Sequence, residues 1–233
     1  MSQIIKFDNV DYPLNLIIGK RRSGKTTLIK NLIYAKQRKK KLKYDYLYVF
    51  SANNINDDWI NIFPKNKIET FHKSTCDKYT IKKLIKIQEE RKSNNKNSRC
   101  IIVFDDAILS NKDGMSKGLS NTDEFRNLVM RGRHLNIEFY LCCQYYTFFD
   151  KSIRSNADFI FCGKMNGVGY YTSMYQEVGE STENKKDFEN FINENAVYHN
   201  FIFFNKSDDY QNKRMIIKAK IIPKSWKFKY NID

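Results

Sequence analysis

The chain has 233 residues, which suits one α/β domain with a small appendage. Hydrophobic residues make up 41%, aromatics 15% and charged residues 29%, a globular composition with no apolar run near the ~20 residues of a membrane span and no signal-peptide pattern at the N-terminus. A net charge of +15, from 41 Lys and Arg against 26 Asp and Glu, fits a polyanionic partner, and equally a Lys, Asn and Ile bias of the kind an AT-rich genome produces.

In chain order, the apolar run Leu14-Asn15-Leu16-Ile17-Ile18 predicts a first strand over 14–19. It leads into Gly19-Lys20-Arg21-Arg22-Ser23-Gly24-Lys25-Thr26, and then into a helix predicted over 25–39 that begins Lys25, Thr26, Thr27. Strand, Gly-rich loop and helix form the setting of a phosphate-binding P-loop. Its glycines let the backbone wrap an anion with N–H groups pointing inward, and the helix adds its positive end. Residues 19–27 are thus candidates to bind a nucleoside triphosphate, with Lys25 on the β- and γ-phosphates and Thr26 on Mg²⁺.

Further strands are predicted over 46–51, 67–71, 100–105, 137–144 and 158–162, apolar at nearly every position as in strands covered on both faces. Helices fall between them over 80–91, 122–133 and 151–155, with Thr80 and Thr122 as N-caps. The alternation predicts a doubly wound, mostly parallel sheet flanked by helices. After Gly163 the pattern changes: helices over 170–178 and 182–195, then hairpin arms over 201–205 and 215–222 joined by a polar loop. Residues 1–164 read as the core and 165–233 as an extension packed on it within the same domain. The tail's Trp226, Phe228 and Tyr230 alternate with lysines as an edge strand would.

The predicted strand Cys100-Ile101-Ile102-Val103-Phe104 ends in Asp105-Asp106, the Walker B pattern. Carboxylates at the C-terminal end of a buried strand lie where open α/β sheets bind ligands. Asp105 is the candidate for the Mg²⁺ shell, and Asp106 for orienting or deprotonating the attacking water. The long separation between P-loop and acids leaves room for an extra strand, as in additional-strand ATPases. The strand over 137–144 ends in Gln144, an amide able to donate to phosphate and accept from water, hence a candidate sensor. Cys76, Cys100, Cys142, Cys143 and Cys162 form no CxxC pair and read as small buried hydrophobes, and the three scattered histidines argue against zinc. The basic run over 36–43 reads as a solvated helix end, with contact to a DNA backbone as the alternative.

The block Arg131-Gly132-Arg133-His134-Leu135-Asn136-Ile137, running on to Cys142-Cys143-Gln144, resembles the HerA/FtsK superfamily, in which a Gly-Arg pair precedes a hydrophobic strand ending in Gln. Together with the P-loop, the paired acids and Ile153-Arg154-Ser155-Asn156, it is similar to the genome-packaging ATPases of large DNA viruses and virophages. The resemblance covers residues 14 to about 164. It implies an additional-strand fold of the RecA/FtsK type and a homo-oligomeric ring, pentamer or hexamer, that hydrolyses ATP with Mg²⁺ to drive double-stranded DNA into a preformed capsid. A capsid or portal component is the implied partner, and host cytoplasm or a viral factory, with transient presence at the virion, the implied location. Such rings complete each site with an arginine from the neighbouring subunit; Arg133 matches the motif position, with Arg131 and Arg154 behind it. Cellular relatives usually carry Asp-Glu where this chain has Asp105-Asp106, and no segment offers room for a terminase-type nuclease domain.

Two rival readings share some of these residues. Asn205-Lys206-Ser207-Asp208 matches the NKxD guanine motif of a GTP-binding switch, although Ile108 and Leu109 stand where a DxxG glycine belongs. A helicase or DNA pump acting outside packaging would use the same site chemistry.

Overall fold

The structure is a computed structural model that describes residues 10–39, 44–51, 59–63, 72–73, 76–94, 98–106, 119–165, 170–179, 182–207 and 215–228. Its centre is an eight-stranded sheet in the order β3-β2-β4-β5-β1-β6-β7-β8. The strands are β1 (Leu14–Ile18), β2 (Tyr46–Ser51), β3 (His72–Lys73), β4 (Cys100–Asp105), β5 (Ile137–Cys143), β6 (Phe159–Cys162), β7 (Asn200–Asn205) and β8 (Met215–Lys218). Strands β1 to β6 run parallel, while β7 lies antiparallel to both β6 and β8. The expected α/β class is therefore observed, with β7 and β8 extending the sheet of the core. The strand that separates the P-loop strand from the acid-bearing strand is β5, which follows both in the chain. The interval between P-loop and acids holds β2, as expected, and β3, both on the far side of β4.

Alternation along the parallel strands sends successive side chains to two helical layers. Ile17, Tyr140 and Cys142 meet Leu28, Ile29, Leu32 and Ile33 of α1 (Lys25–Lys39). Leu16, Ile18, Leu141 and Cys143 belong to the opposite core, with α2 (Lys78–Asn94), α3 (Asp123–Met130), α4 (Lys151–Ser155), α5 (Tyr171–Val178) and α6 (Lys185–Asn195). The cores account for four of the cysteines, Cys100, Cys142, Cys143 and Cys162, as buried apolar packing.

Several boundaries differ from expectation for identifiable reasons. Thr80 does not cap α2: Asp77 does, its Oδ1 accepting from Thr80 N at 2.7 Å, so the helix starts earlier and reaches Asn94. Thr122 caps α3 as predicted, accepting from Phe125 N, but the helix stops at Met130 and a separate turn over Arg133–Leu135 precedes β5. The second hairpin arm ends at Lys218 because its partner β7 begins at Asn200, directly opposite. Beyond it the apolar residues predicted as strand, together with Trp226 and Phe228, form an irregular strap across α1. There Trp226 meets Tyr34 edge to face at 5.4 Å, and Phe228 N donates to Ile62 O at 2.8 Å. The predicted strand at 67–71 lies outside the described residues, as do Asp208, Tyr230 and residues 40–43 of the basic run.

That basic run does not begin as a solvated face. Lys36 is buried and donates to Glu138 Oε1, while Tyr44 donates its hydroxyl to Oε2 of the same carboxylate at 2.9 Å. The pair ties α1 to β5 beneath the sheet surface. Lys36→Met is expected to lower stability by ~3–5 kcal/mol, because a buried carboxylate loses its cation. Denaturant unfolding of Lys36→Met against the double variant Lys36→Met/Glu138→Leu checks this, and the double variant should recover much of the loss.

Candidate functional site

The parallel strands deliver the loops that follow them to a shared C-terminal edge. Register sets Ile18 against Cys143 and Asp105 against Cys142, so Gly19, Gln144 and Asp106 leave neighbouring strands at one level. Gly19 closes the loop tightly: a Cβ there would sit 2.8 Å from Ser23 Oγ. Gly24 has φ +95°, and a Cβ on it would lie 3.0 Å from the His199 ring. The left-handed backbone at Gly24 calls for glycine, and at Gly19 a side chain would have to displace Ser23 Oγ. The N–H groups of the first turn of α1, at Lys25, Thr26 and Thr27, precede the first helical bond, from Leu28 N to Gly24 O at 2.9 Å.

Lys25 is buried and its ammonium bridges loop and acids, donating to Gly19 O at 2.9 Å and Lys20 O at 3.2 Å, and standing 3.7 Å from Asp106 Oδ2. Thr26 donates its hydroxyl to Asp105 Oδ2 at 2.7 Å, although 79 residues separate them. P-loop and acidic strand thus meet across β5. Arg21 and Arg22 are exposed on the rim, and Thr27 lies in the first turn of α1.

Asp106 is strained, as are Arg22 and His199 beside the P-loop. The Asp106 φ of 53° is left-handed, unusual for a residue other than glycine. Burial pushes its carboxyl above the usual range, with Lys25 opposing and Asp105 reinforcing the shift. Its Oδ1 is buried without a hydrogen-bond partner, as are Ser23 Oγ and Ser51 Oγ near the same edge. Buried polar atoms are nearly always satisfied, so these oxygens suit a polar ligand seated among them. The oxygen pair Thr26 and Asp105 is the candidate set for a hard cation, which takes few protein ligands when phosphates and water supply the rest.

Two contributors carry no signal in the sequence. Trp59, fully buried after β2, donates Nε1 to Asp105 Oδ2 at 2.8 Å and so holds the carboxylate that Thr26 also binds. His199 begins the turn into β7, and its Nδ1 lies 3.1 Å from Ser23 O. Trp59→Phe keeps the ring's bulk and removes the donor. It is expected to destabilise the nucleotide-free protein by ~1.5–3 kcal/mol, the usual loss of a hydrogen bond to a charged group. The shift in denaturant midpoint measures it.

The candidate arginines lie at the other end of the strands. Arg133 precedes β5, is half-exposed, and pairs with Asp158, whose other oxygen accepts from Leu14 N at 2.8 Å. Arg131 caps α3 and pairs with Glu89 at 2.6 Å. Arg154 is mostly buried, bonded to Glu177 at 2.8 Å and to Phe149 O, with its guanidinium 5.1 Å from the Tyr146 ring. At this same end β7 finishes: Asn205 pairs with Phe159, and Lys206 donates to Arg154 O at 2.8 Å. Asn205 Oδ1 accepts from Ser207, a local turn. The described part of the NKxD match therefore lies a full strand length from the P-loop, out of reach of a base attached to a triphosphate there. That placement removes the guanine-switch reading.

The fold has solved counterparts. The genome packaging NTPase B204 from Sulfolobus turreted icosahedral virus 2, in complex with ATP-gammaS, superposes with a TM-score of 0.66 at 14% identity, over 91% of this chain and 99% of that one. The AMPPCP complex of the same protein gives 0.63, also at 14% identity, over 92% and 100%. ATPases 2 and 3 of EssC from Geobacillus thermodenitrificans give 0.51 at 12% identity, over 96% of this chain and 41% of that one. Among curated sequences, uncharacterized protein 015R of Frog virus 3 (isolate Goorha) is 28% identical over 161 residues, 69% of this chain; the chain spans 46% of that relative's length. The family described as Poxvirus A32 protein matches residues 6–208, a stretch that carries the P-loop, the paired acids, Gln144, His199 and all three arginines. The chain belongs to that family.

Proposed function

We propose that this protein is a viral genome-packaging ATPase that translocates double-stranded DNA. The observation that carries the reading is the 2.7 Å contact between Thr26 and Asp105, beside the Lys25–Asp106 pair, on two strands separated by β5. That arrangement suits a magnesium-bound triphosphate. Lys25 neutralises the β- and γ-phosphates, and Thr26 with Asp105, braced by Trp59, would hold Mg²⁺, which neutralises charge developing on the phosphates. Asp106, made more basic by burial, orients the attacking water and accepts its proton. Gln144 leaves β5 level with Gly19 and reads the γ-phosphate.

Membership in the A32 family and the shared fold of B204, described as a genome packaging NTPase, support packaging as the work done. DNA and a capsid or portal component are then the partners, and host cytoplasm or a viral factory the place. No helix among the described residues is long and apolar enough to cross a membrane. We assign the arginine of the neighbouring subunit's site to Arg133, in a homo-oligomeric ring, because it holds the motif position and is the most exposed of the three, whereas Arg154 is bound internally.

Hydrolysis measured with and without long duplex DNA tests the reading, alongside sizing of the ATP-bound form. Duplex-stimulated turnover by a ring, without strand separation, is expected. Unwinding of a forked substrate would move the protein to the helicase class, and absence of ATP hydrolysis in the assembled, DNA-bound form would refute the reading.

A further inference from the structure

Beside the opening turns of α1 the surface holds a cavity of about 520 Å³ that the phosphate site itself does not use. Thr27 and Lys30 form its inner wall, Asn61 and Ile62 one side, and Ile221 and Ile222 of the strap part of its outer wall. The strap is fastened at both ends. Ala219 N donates to His199 O at 2.9 Å, next to the P-loop, and Phe228, buried, donates its N–H to Ile62 O at 2.8 Å. Between them Lys227 bonds Asn61 O, and Trp226 rests on Tyr34 of α1.

A triphosphate bound in the P-loop wraps the N-terminus of α1, so its α-phosphate and whatever is esterified to it leave past the first turn. Thr27 belongs to that turn and lines the cavity. We infer that this cavity receives the nucleoside of the triphosphate, and that the C-terminal strap is the wall against which the base packs. The inference rests on the P-loop reading above and adds to it the residues that hold the base. Its size falls within the range of small-molecule sites, and its lining mixes apolar surface with a few polar groups, as such sites do. Ile221 is 89% exposed, an apolar side chain held open at the surface by a segment anchored on either side.

Calorimetry with ATP, ADP and inorganic tripolyphosphate tests the assignment. Ile221→Asn, at an exposed position, is expected to weaken ATP and ADP about tenfold through lost packing on the base while leaving tripolyphosphate binding unchanged. Unchanged ATP affinity, or equal losses for ATP and tripolyphosphate, would overturn it. Lys25→Ala should weaken ATP and tripolyphosphate alike; if it weakens neither, the P-loop reading fails and takes the nucleoside assignment with it. Photolabelling of the unmutated protein with 8-azido-ATP gives an independent readout: label in the peptide spanning 219–228 is expected, and label confined to other segments overturns the assignment.

Discussion

Arg133→Ala is expected to lower ATP turnover by ~10³–10⁵ while leaving ATP affinity unchanged, the signature of an arginine that acts on transition-state charge. The geometry makes this a test of assembly. Arg133 sits where β5 begins, whereas the P-loop sits where the parallel β1 ends, roughly 15 Å away at about 3.3 Å per strand residue. It cannot touch its own nucleotide, so a catalytic effect must pass to a neighbour. Mixing Arg133→Ala with Lys25→Ala should then restore part of the turnover, since one variant keeps a working pocket and the other a working arginine. The change also takes the cation from buried Asp158, which keeps the bond from Leu14 N, so some loss of stability is expected and turnover is compared at equal folded fraction. Arg133→Lys keeps the charge but loses the planar fork, and should remain slow. Unimpaired hydrolysis by Arg133→Ala, or no recovery on mixing, would remove the role. Arg154→Ala is a useful contrast: it strips Glu177 of its cation, leaving the bond from the Tyr146 hydroxyl, and should cost stability before it costs catalysis.

What could be read from the sequence follows from how locally each feature is encoded. The P-loop is one continuous strand–loop–helix, and its helix starts and ends where the pattern places it, at Lys25 and Lys39. The buried strands announce themselves as apolar runs, and β2 occupies the residues expected of it. Caps were legible where a single candidate stood at the boundary, as at Thr122, and not where Asp77 competed with Thr80 three residues on. The neighbourhood of the acids depends on chain crossings that no local pattern records. Trp59 reaches Asp105 because residues 59–63 pack on the α1 face, and His199 reaches Ser23 because an antiparallel β7 brings its first residues back to the P-loop edge. The same reversal carries Asn205 and Lys206 to the far edge, which a linear NKxD match cannot reveal. The strap after β8 misled for a related reason: its apolar residues alternate as in a strand, but the partner strand has run out.

Asp106→Asn should abolish turnover, a loss of ~10²–10⁴ if the carboxylate acts as general base, and at the same time raise the melting temperature of the nucleotide-free protein. The two effects share one cause. Burial holds the Asp106 carboxyl above its ordinary range, so the folded state binds this proton more tightly than the unfolded chain does. By linkage, the stability the group contributes is fully present below its unfolded value and is lost as pH rises through the raised one. At neutral pH the folded protein therefore carries a desolvated charge, with Oδ1 unpartnered and with Lys25, 3.7 Å from Oδ2, and Arg21 in partial compensation. Asparagine removes the charge, tolerates the left-handed φ of 53°, and keeps the shape. Each kcal/mol relieved should raise the midpoint by roughly 2–4 °C in a domain of this size. The gain should shrink as pH falls toward the carboxylate range, where the native Asp106 is itself neutral. In the unmutated enzyme the acidic limb of the rate profile should lie above the value of an ordinary aspartate, since protonation removes the base. A variant that is inactive but melts lower than the parent at neutral pH would show that the carboxylate is paired and stabilising in the folded state, and the assignment of Asp106 as the strained base would have to be given up.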